Sequence, residues 1–466
     1  MPDSHSALRR SMGLTDVALF FIIATTNLQW VAASAAAGPT SLFAWVVGCL
    51  AMFVPLCVVV VFLSKNYPQE GGMYVWSKHA FGPFAGFMTA WTYWFSTLPF
   101  FPSILYFAAG TGLYLSGNAA PGAGSTAYYL TISLGGLFLA TIVNFLGLGV
   151  GKYLVNIAAV CRWLLIGLLI VLGAISWMRF GAATPITTAS LMPSFDLKQL
   201  IFWAIIAFAL TGPESVPFMA EEVRDPERTI PRGLAIAAPS IVGIYVLGTL
   251  AVLALIRPEN TDSLHGVIQG IAAASAHFGG APLIVAAAGL IVVSGVGSLI
   301  AWIGSNARLP FAVGLDSYLP RAFGYVHPRW RSPMVALGVQ SLVAAALVIL
   351  SQSGTSAKGA YDVLVSSTVL ATMVPFVLMF ASGIKLAGDR VWLAAISGAG
   401  LLTVVTALVL AAFPASDEPN KTLYVAKILG LNVAMLATGA AVYIAAQRGR
   451  ARRPAGTASS ELTAEP

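Results

Sequence analysis

The sequence predicts an all-α polytopic membrane protein with twelve transmembrane helices, and three observations carry that prediction. Hydrophobic residues fill 58% of the 466 positions and charged residues only 9%, with a mean hydropathy of +0.83. Soluble domains carry roughly 25% charged residues. Apolar runs recur along the chain, each near the length of about 20 residues that crosses a bilayer at roughly 1.5 Å rise per residue. Two of those runs hold polar residues or helix breakers at their centres, where a plain anchor would hold Leu and Val.

The runs lie near 14–37, 40–64, 83–115, 126–148, 152–178, 198–220, 232–256, 281–303, 333–351, 360–384, 391–413 and 423–446. Together they make residues 1–446 one transmembrane domain, with spans one to five over about 14–178, six to ten over about 198–384, and eleven and twelve over about 391–446. The third run is longer than a bilayer demands, which predicts tilt. The connectors 257–280 and 304–332 retain helical apolar patterning and are expected to form short interfacial helices. Residues 447–466 are polar and are expected to form a disordered cytoplasmic tail. The first residues, MPDSHSALRRSMGLTD, lack the short apolar core and small-residue cleavage site of a secretory signal.

Charge asymmetry sets orientation. With the N-terminus in the cytoplasm, the external segments hold only six basic residues, Arg179, Lys198, Arg257, Lys358, Lys421 and Lys427. Arg162 lies inside a span, and the other 18 of the 25 Lys and Arg fall on the cytoplasmic side. This positive-inside bias places both termini in the cytoplasm and the protein in the cell (inner) membrane. The net charge of +7 therefore implies anionic lipid rather than nucleic acid as the partner surface. The five histidines fall in termini or connectors, so no catalytic centre, metal or cofactor is expected. Cys49, Cys57 and Cys161 lie within apolar runs without metal-ligand spacing and read as small buried hydrophobes.

The sixth run, LIFWAIIAFALTGPESVPFMA (200–220), is interrupted by Gly212, Pro213, Glu214 and Pro217. Pro217 has no N–H and its ring opposes the carbonyl of Pro213, so the helical ladder is expected to fail there. In the first run, clean apolar character stops at Thr25-Thr26-Asn27-Leu28-Gln29-Trp30, where Thr and Asn side chains compete with the backbone ladder. Polar contact between helices also accounts for such residues. Irregular backbone at membrane depth is tolerated where it is buried in protein or lines a cavity, and paired interruptions at corresponding places in two halves point to a transporter's binding site.

The run GPESVPFMAEEVRDPERTIPRG (212–233) resembles the amino acid–polyamine–organocation (APC) superfamily, whose sixth span reads as an aromatic, a Gly, an apolar residue and an acid, then AEE. A basic-Asn/Asp-Pro turn and an IP entering span seven follow. AAAGP (35–39), YPQEGGMYVWSKHAFGPFAGF (67–87) and SNARLPFAVGLDSYLPRAFGYVHPRWRSP (305–333) resemble the family in register, so the likeness spans about 12–390. LPFFPSILYFAAG (98–110) and the missing Gly of span one look closest to the glutamate/GABA-antiporter branch.

The resemblance implies a LeuT-like fold, with two inverted five-span repeats, two further spans, and substrate between broken spans one and six. It places the substrate-binding positions at Thr25, Thr26, Asn27 and Leu28 and at Phe208, Ala209, Leu210, Thr211 and Gly212. There the substrate carboxylate would meet orphan N–H groups and its ammonium orphan carbonyls. Phe208 matches an aromatic that lies over the substrate, with core packing as the alternative. Glu214 is a mid-span acid and hence a coupling candidate; a purely structural, hydrogen-bonded carboxyl is the alternative. Arg162 matches a position where several relatives carry Lys in place of a bound sodium ion, and snorkelling toward the cytoplasmic face is the alternative. Lysine can cycle a proton when buried, whereas arginine stays charged. The expectation is therefore an alternating-access amino acid exchanger. A proton-coupled amino acid or polyamine symporter remains open through Glu214, as does a different class, a non-transporting sensor or a channel. Neither the particular amino acid nor the oligomeric state is legible.

Overall fold

A computed structural model describes residues 8–116, 124–194, 196–262, 265–278, 280–351, 357–413 and 421–451. Among them every regular element is helical, and the one extended pairing is an isolated parallel bridge between Met12 and Val223. Eleven helical stretches of the described residues are long and apolar enough to cross a membrane.

The first apolar run forms two helices, α1 (Leu14–Thr25) and α2 (Leu28–Ala37). The second forms α3 (Thr40–Gly48) and α4 (Val54–Asn66), joined by a π turn over Cys49–Phe53 just before Pro55, which has no N–H to give. A short helix, α5 (Met73–Phe81), precedes the third run. That run remains one 33-residue candidate span. Within it the helix divides at Leu98-Pro99 into α6 (Pro83–Thr97) and α7 (Phe100–Gly112), because Pro99 cannot donate to the ladder.

The chain continues through α8 (Thr126–Phe145), the long α9 (Leu148–Phe180), the single turn α10 (Thr188–Leu191) and α11 (Leu197–Ala209). After two 3-10 turns come α12 (Pro226–Leu255), α13 (Gly266–Phe278), α14 (Ala281–Asn306) and α15 (Arg308–Leu315). The last four helices are α16 (Met334–Ser351), α17 (Ala357–Leu386), α18 (Val391–Ala411) and α19 (Lys421–Ala451). The twelfth expected span falls in α19, some of whose side chains lie outside the described residues. This helix runs past Gln447 to Ala451, into the segment expected as tail, and 452–466 lie outside the described residues.

Burial divides the bundle into a shell and a centre. Outer helices expose large apolar side chains: Phe138 on α8 is 68% exposed, Leu342 on α16 73% and Leu402 on α18 68%. Such a surface is stable against lipid and not against water, so this is a multi-pass membrane protein. Helix α1 is at the centre, packed on α9, α12 and α14, and eight of its twelve residues are buried.

Candidate functional site

At both interruptions regular α-helix ends, and each end has a local cause. Helix α1 ends at Thr25, and Thr26 (φ −87°, ψ 105°) and Asn27 (φ −109°, ψ 124°) are extended before α2 begins. The Thr26 hydroxyl donates to Ile22 O at 2.5 Å, duplicating the bond from its own N–H at 2.9 Å. In the sixth run the failure comes earlier than Pro217. Helix α11 already stops at Ala209, since Pro213 has no N–H for the Ala209 carbonyl. Beyond Gly212 (φ 131°) the chain proceeds in 3-10 turns, Pro213–Ser215 and Pro217–Glu222, rather than in α-helix.

The two breaks touch. A Cβ built on Gly212 would lie 2.7 Å from both Cα and Oγ1 of Thr25. The close approach that a glycine of span one would allow is therefore supplied from span six.

Side chains from elsewhere satisfy the carbonyls that α1 leaves open at its end. Arg162 Nη1 and Ser298 Oγ each donate to Ile23 O at 3.2 Å. Trp302 Nε1 donates to Ala24 O at 3.0 Å, with Asn27 Nδ2 at 3.3 Å. Tyr245 Oη is 2.6 Å from Thr25 O and 2.8 Å from Ala209 O, and it accepts the N–H of Asn27 at 3.2 Å. With one proton and two carbonyls, this hydroxyl ties both broken helices to α12. Its ring stacks on Trp45 at 4.2 Å, and Trp45 Nε1 donates to Thr249 Oγ1 at 3.1 Å.

Arg162 is 1% exposed, so its head does not snorkel. It lies between α1, α9 and α14, and all its hydrogen-bond partners are neutral oxygens: Ile23 O, Thr26 Oγ1 at 3.4 Å, Ser294 O at 3.2 Å and Ser298 Oγ at 2.7 Å. Glu214 is fully buried and accepts from Tyr93 Oη at 2.6 Å and from Gly212 N at 2.8 Å. Thr211 does not reach it; its hydroxyl donates to Phe208 O at 2.7 Å. Phe208 meets Trp30 edge-on at 5.4 Å and Phe100 at 5.8 Å, and Phe100 meets Trp302 at 5.5 Å. The Leu210 side chain packs toward Gly48 on α3.

Several buried polar groups at the breaks find no partner among the described residues: Thr25 Oγ1, Gln29 Nε2 and Arg162 Nε. The N–H groups of Leu28 and Gln29, at the start of α2, likewise have no carbonyl a turn behind them. Buried polar groups are nearly always paired, so a cluster of orphans is unusual.

One end of the breaks is closed by charge and backbone pairing. Arg308 donates to both carboxylate oxygens of Glu222, at 2.8 and 3.0 Å, and the two side chains are 0% and 2% exposed. The N–H groups of Ser11 and Met12 donate to Glu222 O at 2.9 and 3.1 Å, and Arg224 N donates to Met12 O at 2.9 Å. Glu70 accepts from Glu221 N at 3.0 Å.

Comparison with known proteins shows the family. A family model described as "Amino acid permease" matches residues 11–439. The chain belongs to that family. It is 26% identical to an uncharacterized transporter of Legionella pneumophila over 90% of this chain and 93% of that one. It is 26% identical to the serine/threonine exchanger SteT of Bacillus subtilis over 67% of this chain and 68% of that one. A probable agmatine/putrescine antiporter, AguD, of Lactococcus lactis is 27% identical over half of each chain. The permease is thus an APC-type membrane transporter and not an enzyme.

Sequence reasoning missed Tyr245, Trp302, Ser298, Tyr93 and the Glu222–Arg308 pair. Tyr245, Trp302, Ser298 and Tyr93 are single polar or aromatic residues in apolar runs with no spacing to set them apart, whereas Glu222 and Arg308 lie in the quoted motifs 212–233 and 305–333, which do not reveal that the two pair. Tyr245→Phe is expected to lower transport strongly in a protein that still inserts. It strips the partner from Asn27 N–H and from the Thr25 and Ala209 carbonyls, at about 1–3 kcal/mol per stranded group. Uptake into liposomes and melting in detergent measure the two effects; unchanged uptake would show that the hydroxyl is dispensable.

Proposed function

We propose that the permease exchanges amino acids across the cell membrane by alternating access, with both termini cytoplasmic and the substrate held at the two breaks. The carrying observation is the contact of Gly212 with Thr25 beside unpaired Thr25 Oγ1, Gln29 Nε2 and the first N–H groups of α2. Those donors, at the positive end of a helix, suit a substrate carboxylate. The ammonium meets carbonyls of the sixth run, such as Ala207 and Leu210, because those ending α1 are already bonded by Arg162, Trp302 and Tyr245. Phe208 closes over the substrate from its place between Trp30 and Phe100. A LeuT-like arrangement of two inverted five-span repeats places these breaks at equivalent points.

Exchange is favoured over ion-driven symport by Arg162. It occupies the space between α1, α9 and α14 as a cation that does not cycle, and its partners are neutral oxygens. The exchanger SteT and the antiporter AguD among the relatives agree with this mode. A second reading, proton coupling to an amino acid or polyamine, draws on Glu214, whose carboxylate binds the sixth break directly through Gly212 N.

Counterflow in liposomes with a panel of labelled amino acids and amines tests both. Uptake should require a trans substrate and no sodium; robust uptake into empty vesicles without an ion gradient, or steep sodium dependence, would overturn exchange. Arg162→Lys should remain folded and gain pH dependence, while Arg162→Ala should lose exchange. Glu214→Gln should flatten the pH profile if protons are coupled and leave it unaltered if they are not. For Phe208→Ala the expected change is weaker apparent affinity with normal protein level. A fall in protein level with affinity intact would make Phe208 a packing residue.

A further inference from the structure

A cavity lies away from the breaks. It has a volume of about 380 Å³ and opens beside the closed end of the bundle, where four separate segments meet. Arg9 and Arg10 come from the N-terminal segment, Lys152 from the first turns of α9, Arg224 from the strand-like stretch after the sixth run, and Arg329 and Arg331 from the connector before α16. Six cations thus line one hollow. Its one carboxylate, Glu222, has both oxygens bonded to Arg308. Ser11 also lines it, and its hydroxyl oxygen is unpartnered in a residue only 7% exposed. The start of the 33-residue helix α9 adds Gly149 and Val150 to the wall, bringing the positive end of a helix to the same place.

We infer that this cavity binds a phosphate group and that the bound anion holds this end of the transporter shut. Lys152 is already paired with Asp16 at 3.1 Å, but arginines crowded into one hollow repel one another, and their forks match phosphate oxygens two at a time. The segments it would bridge are those already joined by weaker contacts: Ser11 and Met12 to Glu222 O, Arg224 N to Met12 O, and Lys152 Nζ to Ser11 O at 2.8 Å. Opening this end requires the N-terminal segment to leave 222–224 and α9. An anion held by all four segments opposes that separation. The closing action rests on the alternating-access reading; the binding site does not. A phospholipid headgroup and free phosphate share the required chemistry.

Two measurements on the full chain test the proposal. In detergent, added inorganic phosphate should raise the melting temperature more than chloride at equal ionic strength. In zwitterionic liposomes, counterflow should slow several-fold on adding phosphate to both sides or on including phosphatidylglycerol. A response to phosphate alone identifies a soluble ligand, and a response to phosphatidylglycerol alone identifies a lipid. Arg9→Gln with Arg329→Gln should weaken either response, by roughly tenfold in concentration for each charge-assisted hydrogen bond removed, while the unliganded protein melts no lower, since like charges have been removed, and counterflow without added anion is retained. No response from the normal protein to either anion, or an equal response from the double variant, would overturn the site. A melting shift that the double variant abolishes, without any effect on counterflow, would uphold the site and overturn its closing action.

Discussion

Gly212→Ala is expected to abolish exchange. The residue has φ 131° and ψ −32°, a backbone conformation that L side chains rarely adopt and that costs of order 1–3 kcal/mol where it is forced. The added methyl would also lie 2.7 Å from Thr25 Cα and 3.0 Å from Thr25 N. Backbone cannot rotate aside as a flexible side chain can, so the two breaks must separate. Tyr245 could then no longer reach the Thr25 and Ala209 carbonyls together. Gly243→Ala on α12 is the control: nothing lies within 4 Å of the new Cβ, and alanine favours the helix by about 0.5–1 kcal/mol. Normal counterflow by Gly212→Ala would separate the contact between the breaks from transport.

Arg308→Ala is expected to be the most destabilising single change at the closed end. It leaves the Glu222 carboxylate buried without its partner, a loss of about 3–5 kcal/mol in comparable pairs. It also acts on Glu70, 4% exposed, whose carboxyl lies above the ordinary carboxylate range through burial and the nearby Glu222, with Arg308 opposing. A carboxyl raised in the folded state favours folding while protonated, and that advantage is lost as pH climbs through the raised value. Removing Arg308 removes the opposing charge. The variant's melting temperature should therefore fall more steeply with rising pH than that of the normal protein. Replacing Glu222 and Arg308 together by leucine should recover much of the loss. Equal pH slopes for Arg308→Ala and the normal protein would refute the coupling to Glu70.

Local chemistry is what made the architecture legible from sequence. Spans, breaks and family motifs depend on runs of adjacent residues: an apolar stretch of bilayer length, a proline without an N–H, a glycine before it. The break near 212 and the polar run at 25–27 could be read this way because each interrupts a ladder made within its own helix. The position of failure was misread, at Pro217 instead of Leu210–Gly212. Pro213 releases the Ala209 carbonyl, and only the distant hydroxyl of Tyr245 makes that release tolerable. The interruption of the third run at Pro99 was not read from sequence, since a proline can be carried within a helix or divide it depending on its neighbours.

Tertiary structure alone decided which groups were left over. Composition and charge already pointed to a membrane bundle, because that follows from transfer costs paid residue by residue, whereas the burial of Arg162 against snorkelling was settled by packing. Whether the α1 carbonyls remained free depended on Arg162, Tyr245, Ser298 and Trp302 arriving from three other helices. Whether the breaks could touch depended on Gly212 facing Thr25 across 187 positions of sequence. The basic cavity formed only when four remote segments converged. Hydrogen bonds and Coulomb interactions act over a few ångströms in space and carry no memory of sequence separation, so these pairings were settled only when the helices packed.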